Sequence, residues 1–397
     1  MKIGIDLLDL KPNMNQGINV YSENLVKGLD KINGKFNIQI YVNNEYFKYA
    51  SREFKSKKIK IIKYNKTNRI KHIIIKSLVY FMSYLNIKSL KLFFLIRNLF
   101  FNDLKNLIQK NSEILISPNV VLNNYNLKIK TLLCIHDIQH TYFPKNFSKY
   151  ENFTRYLTRN NSVKYCDNLI ASSFFLKKQC NKFFKKHNSN IKVIEEGVNL
   201  NLFKKKNYKN RKINNIELPK KFIFYPAGFW PHKNHLLLLN AIKNLKAKNK
   251  NINLVLCGSK KKLYKKVMNF IKINQLTNVL YLGPISQTNV IKAYNLCSFV
   301  VMPSVEESSS LLLKETIAVG KPFLGSNTKT FLEKNKEFNF KIFDINKKFD
   351  LEKKLIDSYS DKHKFIKEVK KNSKKIQNYN WENVAKKFYN LAIKLNN

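Results

Sequence analysis

Acidic side chains are scarce in this sequence. Only 26 Asp and Glu stand against 74 Lys and Arg among 397 residues, a net charge of +48. Such a surface attracts polyanions, either nucleic acid or an acidic membrane face. Arginine is scarcer still, with six residues (Arg52, Arg69, Arg97, Arg155, Arg159 and Arg211). Base-edge and bidentate phosphate readers lean on Arg, and none of the six clusters with aromatics, so no nucleic acid partner is expected. Lys, Asn and Ile are inflated together, as a coding bias at surface positions would produce; attraction to a membrane surface is the other reading. The five cysteines (Cys134, Cys166, Cys180, Cys257 and Cys297) are odd in number and never spaced CxxC. That pattern argues for reduced thiols in a cytosol and against a disulfide framework or a zinc site.

Long apolar runs are missing too. The most apolar stretch, residues 72–101, is broken by Lys76, Lys88, Lys91 and Arg97. No run reaches the roughly 18 residues that span a bilayer. The opening "MKIGIDLLDL" reads as a strand and lacks the apolar core and small-residue cleavage site of a signal peptide. No GxGxxG follows the first strand, which speaks against a dinucleotide redox cofactor, and no phosphate-binding P-loop occurs. No Asp-x-Asp offers ligands for a metal-held diphosphate, so neither a metal nor another cofactor is expected.

What is present is a globular composition, 44% hydrophobic and 13% aromatic, on a chain long enough for two domains. Short apolar runs at 2–8, 36–42, 59–64, 113–117, 131–136, 168–172 and 192–197 read as strands. Helical periodicity separates several of them, as at 18–32 and 152–166. The polar stretch 204–221 reads as a linker. The pattern then restarts with strands at 222–228, 253–259, 278–283, 298–304 and 321–327 and helices at 235–248, 260–274, 286–296 and 310–319. Strand–helix alternation of this kind implies an α/β protein of two Rossmann-like, doubly wound domains facing each other across a ligand cleft. The expected division is 1–205, joined by the C-terminal helix 380–397, and 206–379. In that last helix Trp381, Val384, Phe388, Leu391 and Leu395 share one face, so it packs on one of the domains.

Three segments carry candidate chemistry. "EESSSLLLKE" (306–315) holds three of the scarce carboxylates and leads from a strand into a helix. Ser310 is the N-cap candidate, and a helix N-terminus suits a phosphate or sugar hydroxyls. Glu307 and Glu315 could then grip vicinal hydroxyls; alternatively Glu306 and Glu307 are solvated loop acids. In "YPAGFWPHKNH" (225–235), Lys233 stands between His232 and His235 at a helix start, placed to neutralise a diphosphate. In "LLCIHDIQH" (132–140), His136 and His140 would hold a metal only on a helix, and the position between a strand and Pro144 reads as a loop. Gly17, between the first strand and first helix, suits a close approach of backbone to phosphate or sugar, though a turn also needs glycine.

These segments resemble the retaining glycosyltransferases of family 4, which have the GT-B fold. "PSVEESSSLLLKE" stands where that family has Pro-Ser-x-x-Glu-Gly-Phe-Gly-Leu-Pro-x-x-Glu. "YPAGFWPHKNH", "GKPFLGSN", "VIEEGVNLNLF", "LLCIHD" and "NWENVAKKF" also fit; residues 43–110 match nothing in the family pattern. The resemblance implies transfer of a hexose-type sugar from a nucleotide-sugar donor, with retention and without a metal, to a glycan or lipid-linked acceptor. Surface polysaccharide or lipopolysaccharide synthesis would be the setting. It assigns Glu307 to the donor sugar, Glu315 to the ribose, and Lys233 with the helix start at Ser308, Ser309, Ser310 and Leu311 to the diphosphate. His136 would line the sugar pocket, and Gly17 would let the first loop close over the phosphates. Ser308–Ser310 replace the usual Gly-Phe-Gly, and Phe229 and Trp230 stand where many members have an arginine.

The resemblance and the charge place the protein in the cytoplasm, peripheral on the inner face of the plasma membrane. Residues 65–110 would rest on anionic lipid, where each nearby Lys contributes roughly 1 kcal/mol. The competing readings are a phosphorylase, hydrolase or epimerase of the same fold, and a non-catalytic polyanion-binding protein.

Overall fold

In Lys2–Leu7 (β1) every residue after the first is buried, the pattern of a strand covered on both faces by helices. The computed structural model describes residues 1–12, 17–65, 69–184, 191–360 and 362–396. The chain divides into two compact units, 1–196 with 381–397 and 197–380.

In the first unit β1 leads to α1 (Gly17–Asp30), β2 (Asn37–Val42), α2 (Asn44–Glu53), β3 (Ile59–Lys63), α3 (Arg69–Tyr84), α4 (Leu90–Asn111) and β4 (Ile114–Ser117). Then come β5 (Lys130–Ile135), the short α5 (Gln139–Tyr142), α6 (Lys149–Tyr165), β6 (Asn168–Ala171), α7 (Phe174–Phe183) and β7 (Ile191–Val193). The seven strands form one sheet in the order β3-β2-β1-β4-β5-β6-β7, every neighbouring pair parallel. Local sequence fixes the helix starts. Ser148 and Glu151 form a reciprocal capping box on α6, satisfying two N–H groups the helix itself cannot.

The second unit opens with a two-stranded ribbon, β8 (Lys212–Ile213) and β9 (Ile216–Glu217), turned at Asn214 and Asn215, both with positive φ. It continues through β10 (Ile223–Pro226), α8 (His235–Ala247), β11 (Leu254–Cys257), α9 (Tyr264–Ile273), β12 (Val279–Tyr281) and α10 (Gln287–Leu296). Next are β13 (Phe299–Met302), α11 (Leu311–Ala318), β14 (Phe323–Ser326), α12 (Lys329–Asn335), β15 (Lys341–Phe343), α13 (Asp350–Ser360) and α14 (Lys362–Lys375). Six parallel strands lie in the order β12-β11-β10-β13-β14-β15. Both sheets therefore reverse direction beside their own first strand, at β1/β4 and β10/β13, the place where open α/β sheets bind ligands.

Two sequence expectations need correction. Residues 204–221 are no free linker: Ile213 and Leu218 are buried in the second unit's core. The division accordingly falls after Glu196 rather than at 205, because Val198 also belongs to that core and its N–H bonds to Tyr379 O at 2.7 Å. The short β15 was missed, since "KIF" is too brief to carry a period.

The last helix, α15 (Trp381–Asn396), packs in the first unit. Trp381, Val384 and Phe388 join Leu25, Val26 and Leu29 of α1 in one core, with Leu391 and Leu395 partly buried against it. Gly28 permits the approach. A Cβ there would sit 2.5 Å from Trp381 O and 2.9 Å from the Ala385 methyl.

Candidate active site

β10 and β13 are neighbours, so the loops that follow them emerge together. After Pro226 the chain runs to Pro231, which opens a 3-10 turn, Pro231–Lys233. Asn234 then takes a left-handed conformation (φ 54°, ψ 42°) and α8 begins at His235. Asparagine tolerates that region better than most residues. The buried Tyr225 of β10 donates its hydroxyl to Lys233 O at 2.7 Å, fixing the turn. The loop after β13 is tied to this turn by a hydrogen bond from Val305 N–H to His232 O at 2.8 Å.

Within this frame Lys233 Nζ lies 2.6 Å from Glu307 Oε1, with side chains only 16% and 10% exposed. Thr330 Oγ1 donates to the Glu307 carbonyl, so the acid is held from both ends. Glu306 and Glu307 are each buried to 8% exposure, which removes the reading of solvated loop acids. Ser308 and Ser310 are buried and Ser309 is half-buried. Ser310 occupies the N-cap position of α11, but its side chain makes no capping hydrogen bond; its φ of −122° and ψ of 29° lie off the extended cap geometry. Leu311 opens the helix, and Glu315 stands one turn inside it.

Glu315 turns toward Tyr294 of α10, whose hydroxyl donates to Glu315 Oε2 at 3.0 Å. Burial, reinforced by that carboxylate, raises the Tyr294 pKa well above the ordinary tyrosine value, so the phenol stays a donor. His235 is no cation: it is 1% exposed, stacked 4.5 Å from Phe229, and burial lowers its pKa to about 4. Lys233 is the cation that meets Glu307.

The first unit holds the other two expected residues. His136 follows β5; its Nε2 lies 2.8 Å from Pro118 O and its Nδ1 3.9 Å from Glu196 Oε1. Tyr21 of α1 packs edge-on against the imidazole at 4.6 Å. Gly17, the first residue of α1, is exposed, and a Cβ there would meet nothing within 4 Å. Packing within the unit therefore does not demand glycine at that position. Gln16, which precedes it, lies outside the described residues.

His140 does not pair with His136. Only His140 lies in the short α5, and Arg159 Nη1 approaches its Nδ1 at 3.1 Å. Burial, with Arg159 and Arg155 beside it, lowers the His140 pKa to about 3. The same Arg159 nitrogen donates to Asp137 O at 2.7 Å. Burial alone would raise the Asp137 pKa, but Arg159, the Gln139 N–H and Arg155 outweigh it and hold the carboxyl below its usual range. This cluster fixes the loop that carries His136. Among the described residues no group of three or more His, Cys, Asp or Glu is placed to hold a metal ion.

A profile of the family described as "Glycosyl transferases group 1" matches residues 206–378. That segment is similar to the group 1 glycosyl transferases. An uncharacterized glycosyltransferase of Methanocaldococcus jannaschii is 30% identical over 200 residues, covering 50% of this chain and 50% of that protein. The O-antigen chain mannosyltransferase RfbU of Salmonella typhimurium is 25% identical over 202 residues, covering 51% and 53%. The chain thus spans about half the length of the curated relatives it matches. Among solved structures, Anabaena HepE in complex with UDP and glucose superposes with a TM-score of 0.70 at 13% identity, over 100% of both chains. At that identity the likeness establishes the two-domain GT-B architecture. The matched segment contains Lys233, Glu307 and Glu315, whereas His136 and Gly17 lie before it.

Sequence reasoning missed the residues that hold these groups: Tyr225, Tyr294, Thr330 and Glu196. Glu196 alone carried a signal, because it follows β7 at the carboxyl end of its strand.

Proposed function

We propose that this protein is a glycosyltransferase that moves a hexose-type sugar from a nucleotide-sugar donor to a glycan or lipid-linked acceptor. One observation carries the reading: a largely enclosed ammonium–carboxylate pair, Lys233 with Glu307, at the carboxyl ends of β10 and β13. A leaving nucleoside diphosphate gains negative charge as the glycosidic bond breaks, and a fixed ammonium in a poorly hydrated site stabilises that charge. On donor binding, Lys233 exchanges Glu307 for the diphosphate. The released carboxylate then accepts hydrogen bonds from the sugar hydroxyls. Glu315, oriented by Tyr294, takes the ribose hydroxyls. The serines at 308–310 present backbone N–H groups at the start of α11 to the phosphates.

Retention of configuration and independence from metal belong to the same reading, as do a role for His136 at the sugar and for Gly17 at the phosphates. The name of the Salmonella relative supports a setting in O-antigen, lipopolysaccharide or other surface glycan assembly. All five cysteines are free and buried, in keeping with action in the reducing cytoplasm.

The test is a transfer assay with a panel of nucleotide-sugars, with and without lipid-linked acceptor. Glycosylated product that depends on acceptor, reduced at least tenfold by Lys233→Ala or Glu307→Ala, is the expected result. Wild-type rates in both variants would reject the site, and release of free sugar unaffected by acceptor would make the protein a hydrolase.

A further inference from the structure

The outward face of α3 is apolar. Ile75, Val79 and Met82 point into the first unit's core, at the i, i+4, i+7 spacing of one helix face. The opposite face of a solvated helix carries polar side chains. Here it carries Tyr84 at 77% exposure, Tyr80 at 64%, Phe81 at 57% and Ile73 at 55%, and Leu85, in the turn just after the helix, is 49% exposed. Between 73 and 85 the only charged residue is Lys76. On α4, Leu92, Leu95 and Leu99 make a second exposed row at helical spacing. Of the twenty large hydrophobics exposed among the described residues, ten fall between 73 and 99. Scattered exposed leucines need no explanation, but this concentration does.

Charge selects what covers the face. Lys76, Lys88 and Lys91 are exposed around it, and no Asp or Glu occurs between Glu53 and Asp103. A second copy of the chain, meeting this face with its own, would oppose lysine to lysine with no carboxylate to pair them. An anionic bilayer complements both features, with acyl chains for the aromatic and aliphatic side chains and lipid phosphates for the ammonium groups. The helix cannot cross: α3 has 16 residues, about 24 Å at 1.5 Å per residue against a hydrocarbon core of about 30 Å. No helix among the described residues is long and apolar enough to span a membrane.

We propose that α3, with the exposed row of α4, lies flat in the interface of an anionic membrane, apolar side chains inserted and flanking lysines on the phosphates. This docking does not rest on the transfer chemistry, and its failure would leave the donor reading standing. The experiment is sedimentation of the full chain with phosphatidylcholine vesicles, with and without one-quarter phosphatidylglycerol. Wild-type protein should bind the anionic vesicles. The triple variant Phe81→Gln, Tyr84→Gln, Leu85→Gln keeps the net charge, so adhesion of a merely cationic protein would be unaltered; insertion predicts at least a tenfold weaker partition. Circular dichroism and nucleotide binding report whether that variant is folded. If it is not, Phe81→Trp in the otherwise native chain gives a second measure, in which vesicles with brominated acyl chains should quench the fluorescence gained at position 81. Absence of binding to anionic vesicles, wild-type partition of the folded triple variant, or unquenched fluorescence at position 81 in bound protein would overturn the proposal. So would a vesicle-free dimer that the triple variant dissociates, if that dimer does not bind lipid.

Discussion

Lys233 and Glu307, 74 positions apart in the chain, meet at 2.6 Å between the loops that follow two adjacent strands. With exposures of 16% and 10%, each side chain relies on the other for most of its compensation. Removing one partner of a fully enclosed pair costs about 3–5 kcal/mol. At this partial enclosure Lys233→Met should cost roughly 2 kcal/mol, and Lys233→Met with Glu307→Leu should recover most of that. Urea unfolding of the single and double variants measures it. Additive losses would mean the pair is uncoupled.

The Tyr294 hydroxyl on Glu315 is a positioning contact. Tyr294→Phe removes one hydrogen bond to a carboxylate, about 1–2 kcal/mol. In steady-state kinetics it should raise KM for the donor about tenfold and leave kcat within twofold. An unchanged KM would separate Glu315 from donor binding.

Two buried histidines make both units acid-sensitive. His235 has its pKa lowered to about 4 and His140 to about 3, against about 6.5 for an exposed imidazole. The unfolded chain therefore takes up these protons first as pH falls. The stability from keeping each ring neutral is complete above pH 6.5 and is lost as pH falls toward 4 for His235 and toward 3 for His140. For His235 the loss is roughly 3 kcal/mol, at about 1.4 kcal/mol per pH unit. His235→Phe, which can keep the stacking on Phe229, should flatten the fall in melting temperature of the second unit between pH 6.5 and 4. A profile parallel to wild type would contradict this.

The α1–α15 contact leaves no room at Gly28, where the obstacle is the Trp381 carbonyl. Gly28→Val should destabilise the first unit by about 2–3 kcal/mol, as overpacking does. Deletion of 381–397 should expose the same α1 face and destabilise it further. Thermal melts that match wild type in both would show that α15 does not hold this unit together.

How much of this was legible in the sequence depends on period. Strands such as β1 and β13 announce themselves as short apolar runs between helical stretches, and the carboxylates at 306–315 stand out because acid is so rare elsewhere. Periodicity alone left open the side of the molecule to which α15 belongs, because its face of Trp381, Val384 and Phe388 fits either domain; the expected division nevertheless joined it to the first, where it packs. Only the absent side chain at Gly28 marks its partner. Nor could spacing show that His235 is buried neutral while Lys233, two residues earlier, faces an acid. Both follow from the 3-10 turn and the left-handed Asn234, which rotate neighbouring side chains to opposite sides. The serines misled for a related reason: a residue at an N-cap position caps only when its backbone is extended, and Ser310 is not.

The most direct test of the central claim is calorimetric titration of UDP, GDP and ADP into the wild-type chain and into Lys233→Ala. The account predicts that at least one of these diphosphates binds the wild type and that the substitution weakens it at least tenfold, about 1.4 kcal/mol. Equal affinity in the two proteins, or no binding of any diphosphate to the wild type, would contradict it.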